Sequence, residues 1–322
     1  MLKGLFLIIG TTLLFASSYA MEGVPPGYDA ASFARMGVGA RAQAMGGAFV
    51  AIAQGPTAGY WNPAGLGYVE DFQIEGMYTD WLGAGIDFQY VSIAGYPPIG
   101  EERPRLALGD HLVTFGLTWV STHVGDIPWW EEDGGYGTFD AWSHLVIFSV
   151  GWQLKQTPSL SIGFNIKTYH DRILEGSSFG IGFDLGLLVQ GTIGAMPVSL
   201  GVVSTDFGNT KIQWYGTTGE PVNYVPWLMK AGMAARPWQR VLTSVSYEWG
   251  VNRPRFERLR VGIEVSLEWL ALRAGYEWDL STDTGRWTAG GGITYEGSIM
   301  LDYAYVLTPL GNSHLITIRL TW

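Results

Sequence analysis

The chain has 322 residues, of which 47% are hydrophobic and 15% charged, and it contains no cysteine. A soluble domain usually carries about 25% charged residues, so this surface is short of charge, and the lack of cysteine excludes disulfides, thiolate metal sites and a cysteine nucleophile. The 19 basic and 29 acidic residues give a net charge of −10, which argues against nucleic acid as a partner because nucleic acid is bound by basic surfaces.

The amino terminus has the pattern of a secretory signal peptide. Lys3 precedes an uncharged apolar stretch, and Ser18 and Ala20 place small residues at the two positions that a signal peptidase recognises. We therefore expect residues 1–20 to be removed. A membrane-spanning helix needs about 20 apolar residues, and no such run follows residue 20. An exported, apolar, helix-poor chain without one is expected to enter a membrane as a closed β-barrel.

Apolar residues alternate with polar residues or glycine along most of the remaining chain. In residues 179–187 every second residue is apolar, and between them lie Gly180, Gly182, Asp184 and Gly186. A period of two is typical of β-strands with one apolar face. The strands of a soluble β-sandwich alternate in the same way, but their polar face meets bulk water. In this chain the face opposite the apolar one is rich in glycine. The pattern predicts fourteen strands, at 70–80, 86–96, 111–121, 142–154, 159–170, 178–189, 197–205, 227–235, 239–248, 258–266, 269–279, 286–295, 298–307 and 313–322.

The connections between these strands alternate in length, as in outer-membrane barrels, which have short turns at one rim and long loops at the other. Tight turns are expected at 155–158, 236–238, near 268 and at 296–297. Longer links are expected at 122–141, 206–226, 249–257 and 280–285, and one long link, 97–110, falls where a short turn is expected. Aromatic residues that we expect to face lipid cluster near the strand ends, where a membrane girdle belongs: Trp142, Trp152, Tyr247, Trp278, Trp287, Tyr295, Tyr305 and Trp322. The predicted fold is all-β, a transmembrane antiparallel β-barrel of about 14 strands over residues 70–322.

Charges of both signs fall on the predicted inner face, and we expect them to brace the lumen by pairing rather than to select ions. They are Lys167, Asp184, Arg260, Glu264, Arg273, Glu277, Asp302 and Arg319. The five histidines show no zinc-ligand spacing, and His170-Asp171 has no serine nearby in sequence. The acidic run at 131–133 has calcium-binding oxygens but is more typical of a solvated loop. We therefore predict no catalytic residue, metal or cofactor, and a protein that is not an enzyme.

Residues 21–69 do not alternate and are rich in small and apolar residues. The stretch is too apolar and too poor in charge for a disordered tail, so we expect it to lie inside the barrel as a hatch. Its small residues allow close backbone packing, and Gly46 and Gly47 are among them and are candidate hatch or gate residues. Asn62, Pro63 and Ala64 lie where the hatch meets the first strand, and they are expected either to form a gate or to be a rigid turn that starts the barrel.

Two stretches of this segment resemble the N-terminal hatch of the FadL superfamily of outer-membrane transport proteins. They are residues 41–48 (Arg-Ala-Gln-Ala-Met-Gly-Gly-Ala) and 60–66 (Tyr-Trp-Asn-Pro-Ala-Gly-Leu). Together with residues 301–306 and 311–314, they look most like the PorV/PorQ-like branch. The resemblance implies a fourteen-stranded barrel with a hatch. FadL-type members pass hydrophobic molecules inward, whereas PorV-like members are partners in type IX secretion. Many relatives carry acidic residues where this chain has Gln54-Gly55-Pro56, so a hatch role that depends on those acids is not expected here.

The predicted function is passive uptake of small hydrophobic compounds, fatty-acid or hydrocarbon-like, through the bacterial outer membrane. Four aromatic residues in the two longest outer loops are candidates to capture the ligand: Trp129, Trp130, Trp214 and Tyr215. Four hatch residues are candidates to line its pocket: Phe49, Ile52, Tyr60 and Trp61. The expected partners are outer-membrane lipid and a hydrophobic or detergent-like small molecule. The alternative is a PorV-like partner of a type IX secretion system that binds protein cargo and conducts no solute.

Overall fold

The computed structural model describes residues 30–96, 106–108, 111–130, 136–154, 159–252 and 256–322. The predicted signal peptide, the first residues of the predicted hatch and the acidic run at 131–133 lie outside this part of the chain. In the part that is described, no helix is long and apolar enough to cross a membrane.

Fourteen antiparallel strands form a closed barrel, as the sequence predicts. Each strand pairs with the next one along the wall, and β1 pairs with both β2 and β17, which closes the ring. The wall consists of β1 (Gln73–Trp81), β2 (Ile86–Ala94), β4 (His111–Trp130), β5 (Tyr136–Leu154), β6 (Ser159–Ile173), β7 (Gly176–Ile193), β8 (Met196–Thr205), β11 (Leu228–Trp238), β12 (Val241–Gly250), β13 (Glu257–Ser266), β14 (Leu270–Asp279), β15 (Thr284–Tyr295), β16 (Ile299–Thr308) and β17 (Gly311–Thr321). Three short strands, β3 (Leu106–Leu108), β9 (Lys211–Tyr215) and β10 (Val222–Tyr224), pair at the rims.

The exterior of the barrel is apolar. On β7, Phe179, Ile181 and Leu185 are 47%, 48% and 51% exposed, while Asp184 between them is 2% exposed. The alternation of the sequence therefore places apolar side chains outside and polar side chains or glycine inside. So many exposed large apolar residues on a protein surface indicate contact with a membrane.

Aromatic side chains lie at the two edges of this apolar band, one level near each rim. Trp142 and Trp152 on β5 both face outward and are ten residues apart. Ten residues of strand span about 33 Å, which at a tilt of about 40° corresponds to about 25 Å of depth, the height of the apolar band of a transmembrane barrel. We call the rim where β1 begins and β17 ends the terminal rim, and the opposite one the distal rim. Trp142 lies near the distal rim and Trp152 near the terminal rim.

Strands β4 and β5 extend nine and six residues further at the distal rim than the sequence predicts, and β6 and β7 extend three and two residues further. They have 20, 19, 15 and 18 residues, so most of the expected link 122–141 is strand. Gly125 and Pro128 suggest a loop there, but the pairing resumes after a bulge, with Ile127 opposite Phe139. The expected link 206–226 contains the hairpin β9–β10, because β9 pairs with the extended end of β7.

Residues 30–69, which we call the inner segment, contain four short helices. Two are 3-10 helices, Ser32–Arg35 and Pro63–Tyr68, and two are single α-helical turns, Ala40–Ala44 and Ala58–Trp61. Between residues 38 and 67 nearly every residue is buried. The second 3-10 helix packs against β4 to β7, and the first α-helical turn packs against β14 to β17 on the other side of the ring. The inner segment therefore lies within the ring of strands.

Candidate functional site

Glycines on the inner face of the wall make room for the backbone of the inner segment. A Cβ atom added to Gly163 would lie 2.1 Å from the backbone nitrogen of Ala64, and one added to Gly275 would lie 2.2 Å from that of Gly46. These distances are far inside van der Waals contact, so any larger residue would push the two backbones apart. The glycine-rich inner face seen in the sequence is the surface against which the inner segment packs.

The predicted gate residues Asn62, Pro63 and Ala64 lie at this contact. The buried side-chain amide of Asn62 donates to the carbonyls of Val50 in the inner segment (3.0 Å) and of Leu187 on β7 (3.1 Å), and its oxygen accepts from the Ala64 N–H (3.1 Å). Its backbone is extended, with φ −162° and ψ 104°, as expected for a residue before proline. Asn62 therefore joins two parts of the inner segment to the wall.

The other two predicted gate residues, Gly46 and Gly47, form a turn against the opposite wall. Their φ values of +67° and +74° lie in the left-handed region, which favours glycine. A Cβ atom on Gly46 would lie 2.7 Å from the backbone nitrogen of Tyr276, and one on Gly47 would lie 3.1 Å from the side chain of Arg260. This turn is therefore restricted both by its backbone conformation and by the wall.

The four residues predicted to line a ligand pocket do not share one cavity in this conformation. Phe49 and Trp61 are 1% and 3% exposed and pack edge to face, with ring centroids 6.0 Å apart. The Tyr60 hydroxyl donates to the carbonyl of Ala34 (2.8 Å), and burial raises the pKa of Tyr60 to about 12, so it remains a neutral donor. Ile52 does not pack with these rings and instead lines a cavity near the terminal rim. The three rings form a core within the inner segment.

A cavity of about 500 Å³, which we call the distal-rim pocket, lies where the inner segment begins. Its apolar lining comes from Phe33, Met36, Trp81, Ile173, Ile212 and Trp214. This volume is in the range of pockets that bind small molecules, which are mostly apolar with a few polar groups. Here the polar groups include Asp171 and Asn223. Among the predicted site residues, only Trp214 lines it.

Phe33 and Met36 precede the two hatch-like motifs and were therefore not among the predicted site residues. Their spacing of three residues within 32–36 places them on one face of a helical turn, and this is the signal that could have indicated a shared surface. The wall and rim residues of the pocket come from the distal parts of β1, β2, β4, β5 and β6 and from β9 and β10, which are far apart in sequence.

The four predicted capture residues belong to strands and not to loops. Trp129 lies on β4 and is 37% exposed, and Trp130 pairs with Tyr136 through its backbone, while its side chain lies outside the described part of the structure. Trp214 and Tyr215 lie on β9, where they pair with β7. Cross-strand pairing, which a local pattern does not reveal, converts both expected loops into sheet. Trp214 faces the distal-rim pocket, and Tyr215 is 48% exposed.

Buried ion pairs join neighbouring strands on the inner face of the wall, deeper in the barrel. The ammonium of Lys167 lies 2.8 Å from Asp184 and 2.5 Å from Asp206, and the hydroxyl of Tyr169 donates to Asp206 (2.8 Å). A cavity beside these residues and Tyr60 measures about 30 Å³, well below the roughly 300 Å³ at which pockets for small molecules begin. This part of the lumen is therefore filled in the conformation described.

Each of the eight inward charges singled out in the sequence has a partner of opposite sign, so the predicted pairing is confirmed. Arg260 pairs with Glu248 and with Glu277. Arg273 lies 2.6 Å from both Glu264 and Asp302, and Arg319 lies 2.6 Å from Glu75.

The inner segment takes part in one of these networks. Arg41 donates to both carboxylate oxygens of Glu264, at 2.8 and 2.9 Å. Bidentate pairs of this kind are directional as well as strong. This ion pair therefore fixes the first α-helical turn of the inner segment to β13.

A second cavity, of about 260 Å³, lies near the terminal rim and shares no lining residue with the distal-rim pocket. Its lining is more polar and includes Arg41, Gln54 and Arg236 beside Ile52 and Leu242. The two cavities therefore lie at opposite ends of the filled lumen.

The residues around His170-Asp171 do not form a nucleophilic relay. The Nδ1 atom of His170 bonds to the backbone carbonyl of Ser178 (2.7 Å), while the Ser178 hydroxyl donates to Asp171 (2.7 Å). A relay requires the imidazole to accept from the hydroxyl, and this contact is not made. Among the residues that the structure describes, no group of three histidine or acidic side chains could hold a metal ion.

No protein-family model matches the chain, and no curated protein matches its sequence. Solved structures of channels do match. The monoaromatic hydrocarbon channel CymD aligns with a TM-score of 0.55 and 13% identity over 88% of this chain and 96% of its own. The toluene transporter TbuX of Ralstonia pickettii aligns with a TM-score of 0.52 and 14% identity, over 89% of this chain and 98% of its own. A mutant of TodX, also a monoaromatic hydrocarbon channel, aligns with a TM-score of 0.52 and 13% identity, over 88% of this chain and 97% of its own. The chain therefore has the fold of these channels.

Proposed function

We propose that this protein is a passive channel of a bacterial outer membrane for the uptake of small hydrophobic compounds, fatty-acid or hydrocarbon-like. The observation that carries the proposal is the distal-rim pocket, a largely apolar cavity of about 500 Å³ at the mouth of a barrel with an apolar exterior. Transfer of apolar surface from water into such a lining is favourable, so an apolar compound is retained there in preference to a polar one. The proposal involves no covalent step, cofactor or energy source.

In this proposal the distal rim faces the outside of the cell. Outer-membrane barrels have short turns on the periplasmic side and longer extensions outside. Here β1 begins and β17 ends at the terminal rim, while β4 to β7 extend furthest at the distal rim. The distal-rim pocket is then the first cavity that an incoming compound meets.

Two independent lines support a place in the FadL superfamily. The stretches at 41–48 and 60–66 resemble its hatch, and the fold is that of channels named for monoaromatic hydrocarbons and toluene. A similar class of substrate suits the lining of the distal-rim pocket. The PorV/PorQ-like branch is supported by the resemblance of the motifs alone.

Residues 21–69 act as a hatch in this proposal, and its displacement opens the path. The cavity beside Lys167 and Tyr60 in the middle of the lumen measures about 30 Å³, too little for a hydrocarbon, so a compound passes there when the inner segment shifts. For this shift, the turn at Asn62, Pro63 and Ala64 must lose its contact with the wall. The glycine turn at 46–47 is the second place where the inner segment is held against the wall. Phe49, Ile52, Tyr60 and Trp61, packed in the closed conformation, then line the route.

One observation favours a second candidate, a PorV-like partner that binds secreted protein and conducts no solute. The hairpin formed by the ends of β4 and β5 projects beyond the distal rim, with Trp129 37% and Tyr136 63% exposed. Exposed aromatic residues of this kind are typical of protein-binding surfaces.

Uptake measurements on two variants separate these candidates. In the first, Phe33→Asp and Trp214→Asp put unpaired carboxylates into the distal-rim pocket, and in the matched control Trp129→Asp and Tyr136→Asp put them on the hairpin. In cells without hydrophobic channels of their own, we expect uptake of a labelled aromatic hydrocarbon to fall about tenfold or more with the first variant, because an unpaired charge is costly in an apolar site. The hairpin variant should keep wild-type uptake. Wild-type uptake in the folded pocket variant would contradict the channel.

A further inference from the structure

One level of the distal-rim pocket is polar, although the levels on both sides of it are aliphatic or aromatic. Thr122, Ser143 and Asp171 lie directly opposite one another on β4, β5 and β6, and all three line the cavity. We call these three side chains the polar row. The residues two positions away, which share its face, are Val120, Leu145 and Tyr169 deeper in the barrel and Val124, Ala141 and Ile173 toward the rim. The polar row is therefore a single polar level within a mainly apolar part of the inner face.

The polar row has hydrogen-bonding capacity that the described part of the protein does not use. Within that part, the hydroxyls of Thr122 and Ser143 form no hydrogen bond. One carboxylate oxygen of Asp171, Oδ2, accepts from the Ser178 hydroxyl (2.7 Å), and Oδ1 has no partner among the same residues. A bound compound that offers these groups no hydrogen bond leaves them unpaired, which costs binding free energy. The polar row therefore favours a compound that carries a hydrogen-bonding group.

The charge of the pocket and the donors of the polar row select the kind of group. Asp171 is the only charged side chain among the described residues that line the pocket, so a carboxylate or phosphate on the ligand would be repelled. A hydroxyl both donates and accepts, and residues opposite each other in a sheet have Cβ atoms about 5 Å apart, so one hydroxyl can donate to Asp171 while it accepts from Ser143. An ammonium only donates, and it is costly to move from water into an apolar cavity. A neutral hydroxyl therefore fits the polar row best.

Tryptophan side chains flank the polar row at both ends. Trp81 packs edge to face on Phe88, which is opposite Thr122 in the sheet, with ring centroids 5.9 Å apart. At the other end, Trp214 is opposite Ser178, whose hydroxyl bonds to the row. Both indoles line the pocket. Aromatic rings favour edge-to-face and offset-stacked contacts with one another, so a flat aromatic compound fits between the two indoles with one substituent at the polar row.

We propose that the distal-rim pocket binds aromatic compounds that carry a hydroxyl group, with the hydroxyl at the polar row and the ring between Trp81 and Trp214. The apolar lining holds the ring as it would hold a hydrocarbon. The polar row adds a specific contact, because a site that hydrogen-bonds a hydroxyl disfavours the analogue without one. The inference rests on the proposed function and names, within its class of small hydrophobic compounds, the neutral phenol-like ones as those that the pocket recognises.

Equilibrium dialysis of the protein in phosphatidylcholine nanodiscs tests this site. The two radiolabelled probes, p-cresol and p-xylene, have nearly the same shape and differ by a hydroxyl in place of a methyl group, and binding to empty nanodiscs is subtracted. We expect the variant Ser143→Ala, Asp171→Ala to weaken p-cresol binding about tenfold, as for the loss of a hydrogen bond to a charged group. Binding of p-xylene should not weaken, because its methyl group makes no hydrogen bond. The milder variant Ser143→Ala should weaken p-cresol binding about threefold.

The matched control is Ser121→Ala, Asp140→Ala, which removes a hydroxyl and a carboxylate from β4 and β5 at positions that do not line the pocket. This control should bind both probes as the wild type does.

Three results would overturn the inference. The first is unchanged p-cresol binding, or equal weakening of both probes, in the folded Ser143→Ala, Asp171→Ala variant, and if that variant does not fold, Ser143→Ala decides by the same criterion. The second is tighter binding of p-methylbenzylamine than of p-cresol to the wild type, since that would assign the polar row to cations. The third is a wild type that binds p-xylene but not p-cresol, which would leave the proposed function standing. A wild type that binds neither probe would refute the proposed function as well.

Discussion

Asn62→Ala measures how firmly the inner segment is fixed to the wall. The substitution removes the bonds to the carbonyls of Val50 and Leu187 and the bond from the N–H of Ala64, all between 3.0 and 3.1 Å. A hydrogen bond contributes about 1 kcal/mol net. Two of the three bonds lie within the inner segment, and the bond to Leu187 joins it to the wall, so the substitution removes about 1 kcal/mol from the seated conformation. Because 1.4 kcal/mol corresponds to a tenfold change in an equilibrium, the ratio of displaced to seated inner segment should rise about fivefold.

Single-channel recording in planar bilayers measures this ratio as the fraction of time that the channel is open. The matched control is Asn252→Ala, because the Asn252 side chain bonds to Trp227 (2.9 Å) and Asn209 (2.6 Å) at the distal rim and to no residue of the inner segment. The control should conduct as the wild type does. If the Asn62→Ala barrel is folded, shown by its migration on a gel before and after boiling, and its open fraction is unchanged, the turn is not a gate.

Three further outcomes follow from the packing of the lumen and the wall. Gly163→Val should displace the inner segment and increase the leak of small solutes from liposomes, since a Cβ atom at Gly163 would lie 2.1 Å from the Ala64 nitrogen. Gly76→Ala should not increase the leak, because a Cβ atom there has no neighbour nearer than 3.9 Å. A Gly163→Val barrel that leaks no more than the wild type would contradict the close contact. Lys167→Met leaves two buried carboxylates without their cation and should lower the free energy of unfolding in urea by about 3–5 kcal/mol. The control Lys211→Met, on the exposed hairpin β9–β10, should change this free energy little. If the two variants were equally stable, the buried ion pairs would not contribute as proposed. The detergent-folded protein should migrate differently on a gel before and after boiling and give a β-type circular dichroism spectrum, and a monomer that needs no detergent would be inconsistent with the transmembrane barrel.

The wall of the barrel could be predicted from the sequence because each strand carries its own alternation. The stretch at 179–187 is an example, since a period of two is visible without any knowledge of the neighbouring strands. The ends of the strands could not be predicted, because they depend on pairing between distant residues. Gly125 and Pro128 suggest a loop locally, yet the pairing of Ile127 with Phe139 extends the sheet past them.

The contacts of the inner segment could be predicted in part. The small residues around Gly46 and the Asn62-Pro63 turn indicated close packing, and both lie against the wall. The distal-rim pocket could not be predicted, because it forms where the inner segment meets seven strands that are far apart in sequence, from β1 to β10. Phe33, Trp81 and Ile212 each look like ordinary apolar residues until the barrel closes.

The position of a bound hydrophobic compound tests the central claim most directly. A crystal structure of the protein soaked with a brominated aromatic hydrocarbon would reveal the bromine by its anomalous scattering. We expect a peak in the distal-rim pocket, between Phe33, Trp81 and Trp214, and its loss in the Phe33→Asp, Trp214→Asp variant. A compound found only on the lipid-facing exterior, with the pocket empty at saturating concentration, would contradict it.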